Sequence, residues 1–270
     1  MTNTAELKSF LIKKAGTNEL NADIDWLMAD ILNLSRNKVN AGVSVSPKNL
    51  KKILKGFAKL QKGMPLSLIL HKANFYGRDY YVNKNVLCPR CETEELVELV
   101  LKNEKNATGL DLCTGSGAIA ITLTKENPCL KMTASDISFK ALKVAKFNAK
   151  KNDCNITFLH SNLFKKIRGK FDFVVCNPPY IKTKDIEKLD TQVKKYEPKL
   201  ALDGGDDGLV FYRKIIKQLP NWLNDDGRVY FEIGFDEGKQ VKNLLTKSFK
   251  DVKIIKDIEK NDRIVSAILK

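Results

Sequence analysis

The chain has 270 residues, 43% hydrophobic and 29% charged, a balance that excludes a disordered or fibrous chain and suggests one large globular domain with a smaller companion. No apolar run approaches the roughly 20 residues needed to cross a bilayer, and "MTNTAELKSFLIKKAG" lacks the basic and apolar regions of a secretory signal, so a cytoplasmic protein is expected. Lys plus Arg outnumber Asp plus Glu by 47 to 32; the net charge of +15 either steers the protein to an anionic partner or reflects a lysine-rich composition, since the lysines are scattered.

Residues 1–63 read as a small helical bundle. "TAELKSFLIKKAG" puts Leu7, Phe10 and Leu11 on one face and ends at Gly16, "NADIDWLMADILN" repeats the pattern with Ile24, Leu27, Met28 and Ile31, and "SPKNLKKILKGFAKLQKG" starts at Ser46 with Pro47 in the first helical position. Residues 64–91 turn to aromatic and β-branched residues, with turn signals at Gly77–Asp79 and Asn83–Asn85, and predict a β-hairpin linker. From residue 92 to 270 strands and helices alternate. The strand candidates are 109–113, 131–136, 156–160, 171–176, 227–234, 251–258 and 264–269. Alternation implies a parallel sheet covered on both faces. The last two strands are joined only by "EKNDR", too short for a parallel crossover, so they must pair antiparallel. The predicted fold is α/β, a Rossmann-like and mostly parallel sheet ending in an antiparallel hairpin strand. This is the architecture of many class I S-adenosylmethionine-dependent methyltransferases.

Two stretches carry the chemistry. In "DLCTGSGAIA" (111–120) a strand runs into a glycine turn and a helix, where backbone can approach a ligand and free N–H groups face it; alone, the match also fits nicotinamide cofactors. Asp136, at the tip of the next strand, can accept from ribose hydroxyls, and Asn162, after the third, can meet an adenine edge. Three polar strand tips in order form a crevice for an adenosine-bearing cofactor. The second stretch, "FDFVVCNPPYI" (171–181), buries a strand and presents Asn177, Pro178, Pro179 and Tyr180 at its tip. A planar amide or amino nitrogen is a poor nucleophile because its lone pair is delocalised. Acceptors that hold both of its hydrogens favour the positive charge that grows on it during alkylation. The Asn177 side-chain oxygen and the Pro178 carbonyl are such acceptors, the prolines make them rigid, and the Tyr180 ring can pack on a flat target. Of the six cysteines, Cys88 and Cys91 form a lone CxxC; with only His71 and His160 in the chain, no metal site is read from it.

With "NFYGRDYYVNKNVLCPRCETEELVE", "DLCTGSGAIAI", "NPPYI", "YEPKLALDGGDDGLVFYRKI", "YFEIG" and "NDRIVSA", the chain resembles the HemK-type glutamine methyltransferases of class I peptide chain release factors over nearly its full length. The resemblance implies methylation of the side-chain amide nitrogen of the glutamine in a Gly-Gly-Gln motif. Asn177, Pro178, Pro179 and Tyr180 would then hold the glutamine. Cys113, Thr114, Gly115, Ser116, Gly117, Asp136, Asn162, Leu163 and Asn177 would bind S-adenosylmethionine, which leaves as S-adenosylhomocysteine. The expected partner is a release factor docked by the N-terminal helices, with no membrane, no sequence-specific nucleic acid and a monomeric enzyme. Cys113 stands where the family often has glycine and Asn162 where it often has an acid. Arg90, Glu92 and Thr93 match a family loop and either shape the cofactor lid or start a helix; Glu197 and Pro198 line an entrance or lie in a solvated loop; Glu232 and Arg263 read as a structural pair. The alternatives are a ribosomal-protein glutamine methyltransferase and an adenine-amino methyltransferase of DNA or RNA, for which "NPPY" also suits a flipped base.

Overall fold

The computed structural model describes residues 3–270, which fall into two compact units: the residues up to Lys72 together with Thr191–Tyr196, and Ala73–Asp190 with Glu197–Lys270. The first unit is helical: α1 (Thr4–Ala15), α2 (Asn21–Leu32), α3 (Arg36–Asn40), α4 (Pro47–Leu60) and α5 (Leu66–Leu70). Local chemistry sets the ends. The Asn3 side chain accepts from the Glu6 N–H and Gly16 closes α1 at φ 69°; Ser46 accepts from the Asn49 N–H and Pro47 opens α4. Ile53, Gly56, Phe57 and Leu60 form the buried stripe of α4, and the core is completed by Leu7, Leu11, Ile24, Leu27 and Met28. A Cβ on Gly56 would lie 2.7 Å from Leu27 Cδ1, so glycine sets the approach of α4 to α2. Two expectations fail here. Phe10 is 53% exposed rather than in the core, with the Lys14 ammonium 5.7 Å from its ring centre, and "LSLIL", expected to be part of an extended linker, is the single-turn helix α5.

The second unit begins at Ala73, one residue into a hairpin of β1 (Lys72–Phe75) and β2 (Arg78–Tyr81), whose two turn residues Tyr76 and Gly77 have φ of 51° and 71°. Two positive φ values match the right-handed twist of the strands, so the turn falls one residue before the Gly77–Asp79 position expected from composition. There follow α6 (Glu92–Asn103), β3 (Thr108–Leu112), α7 (Ala118–Glu126), β4 (Lys131–Asp136), α8 (Phe139–Lys151), β5 (Thr157–His160), β6 (Phe171–Cys176), β7 (Ile181–Lys182), α9 (Thr191–Tyr196), β8 (Asp203–Gly205), α10 (Val210–Gln218), β9 (Leu223–Glu232), α11 (Gly238–Leu245), β10 (Phe249–Lys256) and β11 (Asp262–Leu269). Of these, α9 groups with the helical unit.

The main sheet has the order β10-β11-β9-β6-β3-β4-β5. The β3–β4, β3–β6, β4–β5 and β6–β9 pairs are parallel, and β11 is antiparallel to both of its neighbours, so the chain's last strand sits inside the sheet and β10 forms the edge. Both faces are buried. Val174 and Cys176 point into one core with Leu110, Leu112 and α10 and α11, while Phe173 and Val175 point into the other with α6 and α7. This double burial is why the strands read as continuous apolar runs. The chain runs outward from β3 through β4 to β5, then returns to place β6 on the other side of β3. That reversal opens a crevice at the carboxyl ends of β3 and β6.

Candidate active site

The register Leu112↔Cys176 puts the residues after β3 and β6 side by side, and Leu112↔Ser135 and Asp136↔His160 bring the tips of β4 and β5 to the same edge. A cleft of about 230 Å³ lies there, walled by Lys84–Arg90, Thr93, the turn Cys113–Ser116, Asp136–Ser138, Asn177, Pro179, Pro198, Leu200 and Ala201. A recess of about 30 Å³ adjoins it, sharing Cys113, Asp136, Ile137 and Phe211 and lined also by Asn162 and Leu163.

The expected site residues thus divide. Cys113, Thr114, Gly115, Ser116, Asp136, Asn177 and Pro179 line the cleft, and Asn162 and Leu163 line the recess. Gly117, Pro178 and Tyr180 line neither. Gly117 caps α7 at φ 83°, and a Cβ there would lie 3.1 Å from the Ala145 Cβ, so its bareness serves helix packing rather than close approach of a ligand. Gly115 differs: at φ 56° a Cβ would meet nothing nearer than 4.0 Å. Pro178 is buried. Tyr180 is half-buried against the core; burial, then the charge of Glu232, push its phenol above the usual range.

Cys113 has φ 61°, the left-handed region in which a side chain costs about 1–2 kcal/mol, which is the physical reason for glycine at this position. Asp136 is held by the Gly115 and Ser138 N–H groups at 2.9 and 2.7 Å, which aim its carboxylate across the turn; burial raises its pKa. Beneath the same turn Asp111 is fully buried. Its Oδ2 accepts from Thr114 Oγ1 at 2.6 Å and the Ala120 N–H at 3.3 Å, while Oδ1 has no partner; burial lifts its pKa from 3.8 to about 7.

Arg90, Glu197 and Thr93, which the sequence left open, take definite places, and the expected Glu232–Arg263 pair does not form, because Arg263 Nε donates to Asp257 Oδ2 at 3.1 Å. Arg90 Nη2 donates to both oxygens of Glu197 at 2.7 and 2.8 Å, joining the wall at Lys84–Arg90 to the one that starts at Pro198. Thr93 Oγ1 donates to Glu232 Oε2 at 2.7 Å, and Asn177 Nδ2 faces the same hydroxyl at 3.5 Å. Burial raises the Glu232 carboxyl to about 7. Asn148, fully buried on α8, accepts from the Tyr81 N–H at 2.7 Å and donates to the Tyr81 and Ser116 carbonyls at 3.0 and 2.9 Å, stitching β2 to the glycine turn. Phe211, which lines both cleft and recess, escaped the sequence reading because an aromatic at helical spacing on α10 looks like an ordinary core residue. The cleft is therefore a largely apolar slot with a hydrogen-bonding turn at one side and an oriented amide beside it, suited to a nucleoside-bearing ligand and a planar polar group.

The family described as Methyltransferase small domain matches residues 92–196. The release factor glutamine methyltransferase of Bacillus cereus is 38% identical over 96% of this chain and 95% of its own length, and that of Lactococcus lactis is 40% identical over 92% and 89%. Among solved structures, a methyltransferase from Pyrococcus furiosus superimposes with a TM-score of 0.55 at 18% identity, covering 83% of this chain and 98% of that one. It shares the fold, a class I methyltransferase sheet.

Proposed function

The chain belongs to the release factor glutamine methyltransferase family, and from that membership we propose that it methylates the side-chain amide nitrogen of the glutamine in the Gly-Gly-Gln motif of class I peptide chain release factors, with S-adenosylmethionine as donor. The observation that supports this reading is Asn177 in the lining of the cleft with its amide nitrogen 3.5 Å from Thr93 Oγ1, an orientation in which Oδ1 is the end available to a substrate.

The residues present suit the donor. The turn Cys113–Ser116 offers backbone and a bare Gly115, and Asp136 offers acceptors for ribose hydroxyls, with the recess at Asn162 and Leu163 for the base edge; Asp111, whose Oδ1 has no partner, lies buried beneath that turn and lines neither cleft nor recess. When bound, S-adenosylmethionine supplies a methyl group activated on a sulfonium. Toward the glutamine, Asn177 Oδ1 and the Pro178 carbonyl accept from the two amide hydrogens, fix the nitrogen, and favour the positive charge that develops on it. The rigid Pro178–Pro179 unit holds both acceptors with little reorganisation. The methylated nitrogen is acidic and releases its extra proton to water, so no strong base is required. The helices of the N-terminal unit are assigned to docking the release factor, acting as a monomer in the cytoplasm. Deletion of residues 1–60 that left turnover of whole release factor unchanged, in a remainder still folded, would exclude that assignment.

The test is mass spectrometry of unmodified release factor after incubation with the protein and S-adenosylmethionine. A single methyl on the Gly-Gly-Gln glutamine, lost with Asn177→Ala, is expected. No methyl there, from a protein that still binds the donor, would refute the substrate and turn attention to ribosomal protein.

A further inference from the structure

Thr93 opens α6, Glu232 ends β9 and Asn177 follows β6, and the fold brings the three side chains into one chain of contacts at the cleft wall. Thr93 and Glu232 are 5% and 2% exposed. A threonine hydroxyl has one proton and two lone pairs. That proton goes to Glu232 Oε2 at 2.7 Å, so the hydroxyl offers Asn177 only a lone pair, and the Asn177 amide presents its nitrogen to it, 3.5 Å away. We infer that Thr93 and Glu232 are positioning residues that fix which end of the Asn177 amide faces the cleft, keeping Oδ1 there as an acceptor. The inference rests on the reading of Asn177 as the acceptor for the substrate amide. Without the relay an asparagine amide has two orientations of similar energy, and the wrong one turns a donor toward a substrate that itself donates.

Packing alone does not call for this arrangement. A buried carboxylate is costly to desolvate, and an apolar residue of similar volume is often no less stable. Glu232 is anchored independently through its main chain, whose carbonyl accepts from Tyr212 Oη at 2.8 Å and whose residue pairs with Ile264 of β11. Its side chain is therefore available to polarise Thr93. The Thr93 hydrogen bond, the charge of Arg263 from β11 and a direct hydrogen bond with the Asn177 side chain lower its pKa, although the Arg263 guanidinium also hydrogen-bonds Asp257; Glu92 from α6 opposes them, and the Tyr180 and Tyr212 phenols lie within its field. Once Glu232 takes a proton it can donate to Thr93, which frees the threonine proton to turn toward Asn177 and removes the preference for one orientation.

The test uses the full chain with Thr93→Val, Thr93→Ser and Glu232→Gln. With unmodified release factor and S-adenosylmethionine, Thr93→Val and Glu232→Gln are expected to lower kcat at least about two-fold, the loss when two orientations of equal energy replace one, and up to about 100-fold where the wrong orientation prevails. KM for release factor and Kd for the donor should stay within about three-fold, and Thr93→Ser should recover most of kcat. Wild-type kcat should rise with pH through about 7 as Glu232 ionises, a limb that Glu232→Gln lacks. A Thr93→Val or Glu232→Gln enzyme with the kcat of wild type, or a loss shared equally by donor binding, would overturn the inference. If Thr93→Val fails to fold, Glu232→Gln and Thr93→Ser decide by the same criteria. If wild type methylates no release factor, the functional reading fails and the relay is judged by the side-chain NH₂ resonances of Asn177. Exchange protection in wild type that is lost in Glu232→Gln supports it, and identical protection in both overturns it.

Discussion

Replacing Asp111 by asparagine tests whether the cleft is built on a buried, energetically unfavourable charge. The carboxyl titrates at 3.8 in an ordinary setting and at about 7 here. The folded state binds the proton more tightly than the unfolded state, so folding takes up a proton between those values and stability falls as pH rises through that window, levelling above about 7. The span corresponds to about 4 kcal/mol between fully protonated and fully ionised Asp111. Asparagine keeps an oxygen for Thr114 and Ala120 but leaves its Nδ2 where Oδ1 has no partner, a buried unsatisfied donor that costs about 1–3 kcal/mol at every pH. The pH dependence is separable from that constant cost. Relative to wild type, Asp111→Asn should gain about 2–3 kcal/mol between about pH 5 and about pH 8, and be the more stable protein at the upper end. Urea unfolding of both proteins across this range, without added methyl donor, measures the difference. A flat difference curve would refute the argument, since it would mean that Asp111 titrates alike in folded and unfolded chains. Donor affinity that falls in the same variant would place the unpaired oxygen in the service of the ligand, and unchanged affinity would confine it to the fold.

Two further substitutions probe the supports of the site. Gly109→Ala adds a Cβ against the Phe173 ring and 2.6 Å from Met132 Sδ in the centre of the sheet, and should cost about 1–3 kcal/mol in denaturant unfolding; unchanged stability would show that the core yields more than its packing suggests. Asn148→Ala removes its hydrogen bonds with the Tyr81 N–H and with the Tyr81 and Ser116 carbonyls, and should cost about 1–3 kcal/mol while weakening donor binding in calorimetry, because Ser116 lies in the turn that lines the cleft; loss of stability with undiminished affinity would confine its role to the fold.

What was legible in the sequence was what local chemistry decides. The strand at 171–176 appears at those bounds because an apolar run buried on both faces, ended by Asn-Pro-Pro, admits no other reading, and the cap at Ser46–Pro47 is set by its own residues. Phe10 and Leu66–Leu70 were misjudged because helical spacing and β-propensity say nothing about which neighbour arrives to cover a face. The relay was illegible for a sharper reason: Thr93 lies 84 residues from Asn177 and 139 from Glu232, and their meeting depends on β6 and β9 being neighbours in the sheet. Each letter had a bland local explanation, a helix start or a structural pair. The order of strands removes that ambiguity. It sets the carboxyl ends of β3, β6 and β9 along one edge, so that Asp111 lies under the turn after β3, Asn177 at the tip of β6 and Glu232 at the tip of β9. Burial then raises both acids to about 7, a cost that packing does not require and that, at Glu232, the proposed orientation of the Asn177 amide would account for.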